Sequence, residues 1–255
     1  MSQASGVRVG CCGWPVGHEA YRKRFGIVEV DSTFYNLPRL ATAARWRDEA
    51  PADFEFSVKA WQLITHPSSS PTYRKLTEDI SEKSLARCGG FRDSPEVASA
   101  WERTLAVARA LRARFILFQT PESFYPGANH LRDMYRFFKK AQRPAACLVW
   151  EPRGDGWKKP LLERVCKDLG LTHAVDPLAG EPAWGSVHYF RLHGRREGRR
   201  IVYRHEYSDQ ELSLVLRFCE GRPSYVYFNN VSMWTDSSRF LDLSRDPRVR
   251  HLRPA

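Results

Sequence analysis

Eight short strand patterns, separated mostly by helical patterns, constrain the fold of this chain more than any other feature of its sequence. In the clearest of them, residues 53–59, Phe54, Phe56 and Val58 alternate with polar residues, as in a half-buried strand. Strands that alternate with helices form a parallel sheet, and eight strands close a (β/α)8 barrel. The predicted strands are 7–12, 27–31, 53–59, 115–119, 146–151, 172–175, 187–192 and 224–228.

A length of 255 residues suits one α/β barrel. We therefore predict an α/β fold, a single (β/α)8 TIM-type barrel domain over residues 1–255 with a long insertion after strand 3. No glycine-rich dinucleotide motif or P-loop follows a strand, which disfavours those nucleotide-binding folds. The segment 61–93 is rich in Ser, Pro, Thr and Lys, and such a segment is either a functional lid or a surface insertion.

The charge balance leaves two interpretations open. Lys and Arg number 40 against 29 Asp and Glu, a formal charge of +11, which favours nucleic acid or a phosphorylated small molecule as partner but also suits a generally charged surface. No apolar run approaches the ~20 residues that cross a bilayer, and the first residues lack a secretory pattern. We expect a cytoplasmic protein without a membrane partner. The six scattered cysteines are predicted to be unpaired thiols.

Polar residues gather where the predicted strands end. Glu29 and Asp31 share one face of strand 2, and Arg191 and His193 share one face of strand 7. Barrel enzymes carry their catalytic residues at the carboxyl ends of the strands, so these positions predict an active site. The alternative is a set of buried structural ion pairs, such as Glu29 with Arg191 or Glu151 with Lys59.

The residue types indicate classes of chemistry. Glu29 or Glu151 suits a general base, His193 suits proton transfer, and Lys59 suits electrostatic or Schiff-base chemistry. Arginines at strand ends suit bidentate capture of phosphate or carboxylate. The candidate catalytic residues are Glu29, Lys59, Glu151 and His193. The candidate substrate-binding residues are Trp14, Asp31, Thr33, Tyr35, His66, Gln119, Arg153, Asp176, Arg191 and Asn229. The candidate phosphate or nucleic-acid contacts are Arg195, Arg196, Arg199 and Arg200.

Metal binding is the minor alternative. Carboxylates and histidines near the strand ends are of types that bind Mg²⁺ or Mn²⁺. No HExxH or comparable spacing is present, and Lys and Arg lie among the carboxylates. We therefore assign no metal site, and the cofactor is left open.

The chain resembles the DUF72 (YecE-like) family, whose members have a TIM-barrel fold and no settled general activity. The resemblance is carried by Gly10–Trp14, Val28–Tyr35, Phe54–Lys59, Thr65–His66, Leu117–Pro121, Tyr189–Gly194 and Val226–Asn230. It implies a pocket that includes Glu29, Thr33, Tyr35, Lys59, His66, Gln119, Arg191, His193 and Asn229. Two segments depart from the family pattern. Val149–Arg153 is a variant of its Glu-x-Arg strand, and Ser232–Thr235 lacks the expected Gly-x-Ala.

The sequence thus predicts a barrel enzyme that acts on a phosphate-bearing substrate, nucleic acid included, by acid/base or hydrolytic chemistry at the carboxyl-terminal mouth. One alternative is a noncatalytic nucleic-acid-binding protein that uses the basic segment after strand 7. The other is a protein that binds a small sugar or organic acid.

Overall fold

The computed structural model describes residues 6–198 and 200–247. Its strands are β1 (Val7–Cys11), β2 (Ile27–Val30), β3 (Glu55–Lys59), β4 (Phe115–Thr120), β5 (Cys147–Pro152), β6 (Thr172–Val175), β7 (His188–Leu192), β8 (Arg195–Glu197), β9 (Arg200–Val202) and β10 (Ser224–Phe228). Its helices are α1 (His18–Arg24), α2 (Leu40–Asp48), α3 (Gln62–Thr65), α4 (Glu82–Leu85), α5 (Pro95–Ala110), α6 (Ala128–Lys140), α7 (Lys159–Leu169), α8 (Asp209–Phe218) and α9 (Met233–Arg245).

The eight-stranded parallel architecture predicted from the sequence is confirmed. The strands form one sheet in the order β1-β10-β7-β6-β5-β4-β3-β2, with helices between them along the chain, which is the (β/α)8 TIM-type fold. All five residues of β10 and all five of β7 are buried. Burial of both strand faces is typical of parallel sheets covered by helices.

Two compact units make up the described chain: residues 6–29 with 172–247, and Val30–Leu171. In the first unit, Tyr21, Phe25 and Trp234 pack ring to ring. In the second, Phe91 lies 5.2–5.9 Å from the rings of Phe118, Phe137 and Phe138. Each unit therefore has its own aromatic core, and the single-domain description stays a prediction.

Helix α5 begins at Pro95, after a capping serine. Ser94 accepts a hydrogen bond from the Val97 amide through its side chain, and Pro95 occupies the first turn. A serine N-cap satisfies an amide that the helix cannot, and proline loses nothing at the first position.

The segment between β3 and α5 is more ordered than its composition indicates. It contains α3, a 3-10 turn (Pro71–Lys75) and α4. Arg103 of α5 stacks on Trp61, with 4.4 Å from the guanidinium to the ring centroid, and forms a two-bond ion pair with Glu78. These contacts tie the segment to α5. Its roles as an insertion and as a lid stay predictions.

The basic segment after β7 forms an antiparallel hairpin, β8 with β9.

The six cysteines form no disulfide, as predicted, and all except Cys147 are buried. Among the helices of the described residues, none is long and apolar enough to cross a membrane.

Candidate functional site

The four predicted catalytic residues and six of the predicted substrate-binding residues lie in two side-chain clusters, one in each compact unit. The Glu29 cluster contains Cys12, Glu29, Tyr189, Arg191, His193 and Asn229. The Lys59 cluster contains Asp31, Thr33, Lys59, Thr65, His66, Glu151 and Arg153.

Glu29 and Arg191 form a fully buried ion pair. Arg191 donates from Nη2 to Glu29 Oε1 at 2.7 Å and from Nε to Oε2 at 3.1 Å, and both side chains are 0% exposed. Tyr189 donates its hydroxyl to the same Oε2 at 2.7 Å. Each carboxylate oxygen therefore accepts a hydrogen bond, and the two charges offset one another away from water. This is the pair that the sequence offered as the alternative to a catalytic Glu29.

His193 lies between Arg191 and Asn229. Its Nε2 lies 3.3 Å from Arg191 Nη1, and its Nδ1 lies 3.0 Å from Asn229 Nδ2. A guanidinium only donates, so a hydrogen bond with Arg191 requires Nε2 to accept. These contacts place His193 beside the buried Glu29–Arg191 pair.

The Lys59 cluster is built around an ion pair with limited solvent access. Lys59 Nζ lies 2.9 Å from Asp31 Oδ1, and the two side chains are 7% and 21% exposed. The ammonium also lies 4.2 Å from the centroid of the Phe34 ring, a cation–π contact. Thr33 Oγ1 is within 2.7 Å of the Lys59 carbonyl oxygen. These contacts hold the end of β3 against the turn after β2.

Glu151 and Arg153 form a second ion pair in the same unit. Arg153 Nη2 lies 2.8 Å from Glu151 Oε1, with side chains 18% and 6% exposed. Glu151 is paired in register with Gln119 of β4, so both side chains belong to the carboxyl ends of adjacent parallel strands. The predicted positions at these strand ends are thus brought side by side.

The pKa of His66, a buried member of the Lys59 cluster, is strongly lowered. Burial, reinforced by the charges of Lys59 and Arg153, lowers its pKa to about 3. Its Nδ1 lies 2.8 Å from Thr65 Oγ1, and its ring meets the Phe34 ring edge to face at 4.8 Å. His66 is therefore neutral at ordinary pH, because burial and the two nearby cations all disfavour its protonated form.

Other predicted binding residues make local packing contacts. Trp14 stacks on His18 at 4.0 Å between ring centroids. Lys75 Nζ lies 4.5 Å from the Tyr35 ring centroid, and the Tyr35 carbonyl accepts a bond from the Trp61 indole. Asp176 accepts the Leu178 amide through Oδ1 at 3.0 Å. Their roles in substrate binding stay predictions.

The basic hairpin carries the predicted phosphate contacts at its surface. Arg195, Arg196 and Arg200 are exposed, and Arg195 pairs with Glu197. Arg199 lies outside the described residues. Gly194, at the base of the hairpin, has φ +102°, and its amide donates to Tyr207 Oη at 2.7 Å.

Sequence reasoning missed Tyr189 and Cys12 as members of the Glu29 cluster. Arg191 Nη2 lies 3.5 Å from Cys12 Sγ. Tyr189 is two residues before Arg191, so the strand period already placed both on one face. This spacing indicated that Tyr189 shares a face with Arg191, but a tyrosine in a buried strand is equally typical of the hydrophobic core.

In the part of the chain that the structure describes, no group of three or more His, Cys, Asp or Glu side chains is arranged to hold a metal ion. The Mg²⁺ or Mn²⁺ alternative therefore gains no candidate ligand set here.

The chain is similar to a known protein family along most of its length. The family model described as "Protein of unknown function DUF72" matches residues 18–241. The chain belongs to the DUF72 family. The protein YunF of Bacillus subtilis is 24% identical over 219 residues, which covers 76% of this chain and 71% of YunF. A DUF72 protein of Enterococcus faecalis superposes with a TM-score of 0.68 at 16% identity, covering 98% of this chain and 97% of that one.

Similarity of fold extends to solved structures whose names refer to enzymes. Endonuclease IV of Thermus thermophilus matches with a TM-score of 0.52 at 10% identity, covering 93% of this chain and 97% of its own. SacUVDE matches with a TM-score of 0.58 at 9% identity over 88% of this chain and 82% of its own. A xylose isomerase domain protein of Salmonella typhimurium matches with a TM-score of 0.60 at 12% identity, covering 96% and 98%. At these identities the likeness concerns the fold alone.

Proposed function

We propose that this DUF72 protein is an enzyme that acts on a phosphate-bearing substrate by acid/base or hydrolytic chemistry, with nucleic acid as the favoured substrate class. The observation that carries the proposal is the Lys59 cluster, in which Lys59 and Arg153 both act electrostatically on a buried, neutral His66. Lys59 ends β3, and Arg153 follows β5. Cations at strand ends are suited to hold an anion where barrel enzymes perform their chemistry.

The five ionisable members of the Lys59 cluster each have a role in this proposal. Arg153 and Lys59 contact phosphate oxygens, and their partners Glu151 and Asp31 keep the two cations positioned before the substrate arrives. Glu151 accepts a proton from water or from a substrate hydroxyl. His66 stays neutral and offers a hydrogen bond without adding a third positive charge.

The Glu29 cluster has a positioning role in the proposal. Glu29 holds Arg191 and Tyr189 through three hydrogen bonds. Its predicted role as general base requires a carboxylate oxygen that is available to the substrate, and both oxygens already accept hydrogen bonds from Arg191 or Tyr189. The predicted role of His193 in proton transfer stays part of the proposal. A folded Glu29→Gln variant that keeps wild-type turnover would contradict the base role.

Names of the fold neighbours support the substrate class. Two of the proteins with this fold are called endonuclease IV and SacUVDE, and the first name denotes cleavage of nucleic acid. The formal charge of +11 supports a polyanionic substrate. The xylose isomerase domain protein supports the alternative of a small sugar or organic-acid ligand.

The test uses purified protein with labelled single- and double-stranded DNA and RNA, damaged-base oligonucleotides and phosphorylated metabolites, with and without Mg²⁺ or Mn²⁺. Wild type should form product. Lys59→Met and Arg153→Met should each lower turnover by about 100-fold or more. Lys139→Met, which replaces an exposed lysine of α6, is the matched control and should retain wild-type turnover. Circular dichroism checks that each variant is folded.

Three outcomes contradict the proposal or its role assignments. Product formation that survives in folded Lys59→Met and Arg153→Met removes the Lys59 cluster from the chemistry. Absence of product with every phosphate-bearing substrate removes the reaction class. Activity that survives in Lys59→Ala combined with Glu29→Gln overturns the role assignments of both clusters.

A noncatalytic nucleic-acid-binding protein is the second candidate, and the exposed arginines of the β8–β9 hairpin favour it. Its signature is binding without product, unchanged in Lys59→Met and weakened steeply by salt.

A further inference from the structure

An exposed surface that combines arginines with one aromatic ring lies at the hairpin and the segment after it. We call Arg196, Tyr203, Arg204 and Val231 the Tyr203 surface. All four residues are exposed, and they belong to one compact unit.

Both faces of the hairpin carry positive charge. Arg195 is paired with Val202 and Arg196 with Ile201 across the two strands. Because successive residues of a strand point to opposite faces, Arg195 and Arg196 lie on opposite faces of the ribbon. Arg195 is partly offset by its ion pair with Glu197. Within residues 6–198 and 200–247, Arg196 and Arg204 have no ion-pair partner.

Tyr203 is held in place although its ring is exposed. Its side chain is 45% exposed, and its carbonyl oxygen accepts the Val231 amide at 2.7 Å. Its ring lies 6.2 Å from the His193 ring at 87°, in an edge-to-face arrangement. Val231 beside it is 68% exposed. The surface therefore offers a fixed aromatic ring and an aliphatic neighbour in the same compact unit as the exposed arginines.

Single-stranded nucleic acid matches this combination of groups. Arginines attract the phosphate backbone of any nucleic acid. An aromatic ring stacks on an unpaired base, whose face is accessible in a single strand and covered in a duplex.

We propose that the Tyr203 surface binds single-stranded nucleic acid, with Tyr203 stacked on an unpaired base and Arg196 and Arg204 against the backbone. The inference rests on nucleic acid as the substrate class of the proposed function, and it adds a residue that discriminates single strands from duplex.

Fluorescence anisotropy measures the effect on binding. The probes are labelled oligothymidylate and oligouridylate of about 20 nucleotides and a duplex of equal length, a size that exceeds a typical single-strand site. Tyr203→Ala should raise the Kd for both single strands by about 10-fold or more and change the duplex Kd less than about twofold. Tyr203→Phe, which keeps the ring, should bind like wild type. Tyr125→Ala is the matched control, because Tyr125 is 62% exposed and belongs to the other unit.

The possible results separate the two proposals. A Tyr203→Ala variant that binds single strands like wild type overturns the stacking role, as does an equal loss with Tyr125→Ala or with duplex. If the stacking role is overturned but wild type still forms product, only the further inference fails and the proposed function is still supported. Failure of wild type to bind any of the three probes overturns the inference, while turnover of phosphorylated metabolites still tests the Lys59 cluster separately. Preference between the DNA and RNA strands identifies which nucleic acid is bound.

Discussion

At the residue scale, the properties of the two clusters depend on charges that are removed from water and paired. Asp31 with Lys59 and Glu151 with Arg153 place anions beside cations. His66 remains neutral beside them because a third buried positive charge is unfavourable. The same physics predicts measurable effects of single substitutions on stability.

The low pKa of His66 predicts an acid-dependent loss of stability. The folded-state pKa of about 3 lies below the ordinary value of 6.5, so between these values the unfolded chain binds a proton that the folded protein does not. The free energy of unfolding therefore falls as pH falls from 6.5 towards 3. His66→Gln removes this contribution, so its free energy of unfolding should fall by about 3 kcal/mol less than that of wild type between roughly pH 6.5 and pH 4. Urea unfolding at several pH values measures the difference, and parallel curves for the two proteins would contradict it.

Glu29→Gln should destabilise the protein strongly. The substitution leaves Arg191 charged and buried without its anion, which costs about 3–5 kcal/mol. Glu19→Gln is the matched control, because Glu19 pairs with Lys23 on α1 and both side chains are mostly exposed. It should leave the unfolding midpoint unchanged. Equal midpoints for Glu29→Gln and wild type would show that the buried pair does not contribute as the geometry indicates.

At the scale of elements, the hairpin depends on glycine at its base more than at its tip. A Cβ at Gly194 would lie 2.3 Å from the Val202 carbonyl oxygen, and φ is +102°. A Cβ at Gly198 would meet nothing within 4 Å, and its φ of +58° is the left-handed conformation. Only Gly194 therefore combines a strained backbone with close approach of another strand.

Gly194→Ala should displace the hairpin, whereas Gly198→Ala should cost about 1 kcal/mol and leave it in place. Amide hydrogen exchange over residues 195–204 is the measurement. Faster exchange in Gly194→Ala than in Gly198→Ala is expected, since the clash at Gly194 acts on the Val202 carbonyl. Equal protection in the two variants would contradict the packing argument.

At the scale of the whole molecule, the charge of +11 and the local hairpin make separable contributions to binding. The net positive charge of the protein attracts any polyanion, whereas each arginine that contacts a phosphate releases about one bound counterion. The salt dependence of affinity distinguishes these effects.

Arg196→Ala and Arg204→Ala should each lower the slope of log Kd against log salt by about one. Arg109→Ala is the control, because it removes an equal charge from an exposed position on α5 and should leave the slope unchanged. A slope that falls equally in all three variants would assign binding to net charge alone.

The sequence anticipated the eight strands of the sheet closely. Predicted and observed strands agree at 172–175 and 224–228 and differ by one or two residues elsewhere. Runs of Val, Phe and Tyr bounded by turn residues define such strands locally. The hairpin was not predicted, because residues 195–202 are too polar to show the alternation of a strand. Its two short strands are recognised only from their hydrogen bonds to each other.

Candidate site residues were predictable as a set and only partly as pairs: Glu29 with Arg191 was offered and is present, whereas Glu151 and Lys59 have other partners. The two-residue period places Glu29, Lys59, Glu151 and Arg191 at strand ends. Which cation meets which carboxylate depends on register and side-chain reach, so the observed pairing of Lys59 with Asp31 and of Glu151 with Arg153 could not be read from spacing.

The sequence by itself determined the class of the fold, because hydrophobic periodicity and helix and strand order are local properties of the chain. Tertiary structure alone decided the electrostatic state of the site. The depressed pKa of His66 and the complete burial of Glu29 with Arg191 arise from desolvation and from charges distant in sequence. Such energies depend on the distances between groups in space, which periodicity along a chain does not specify.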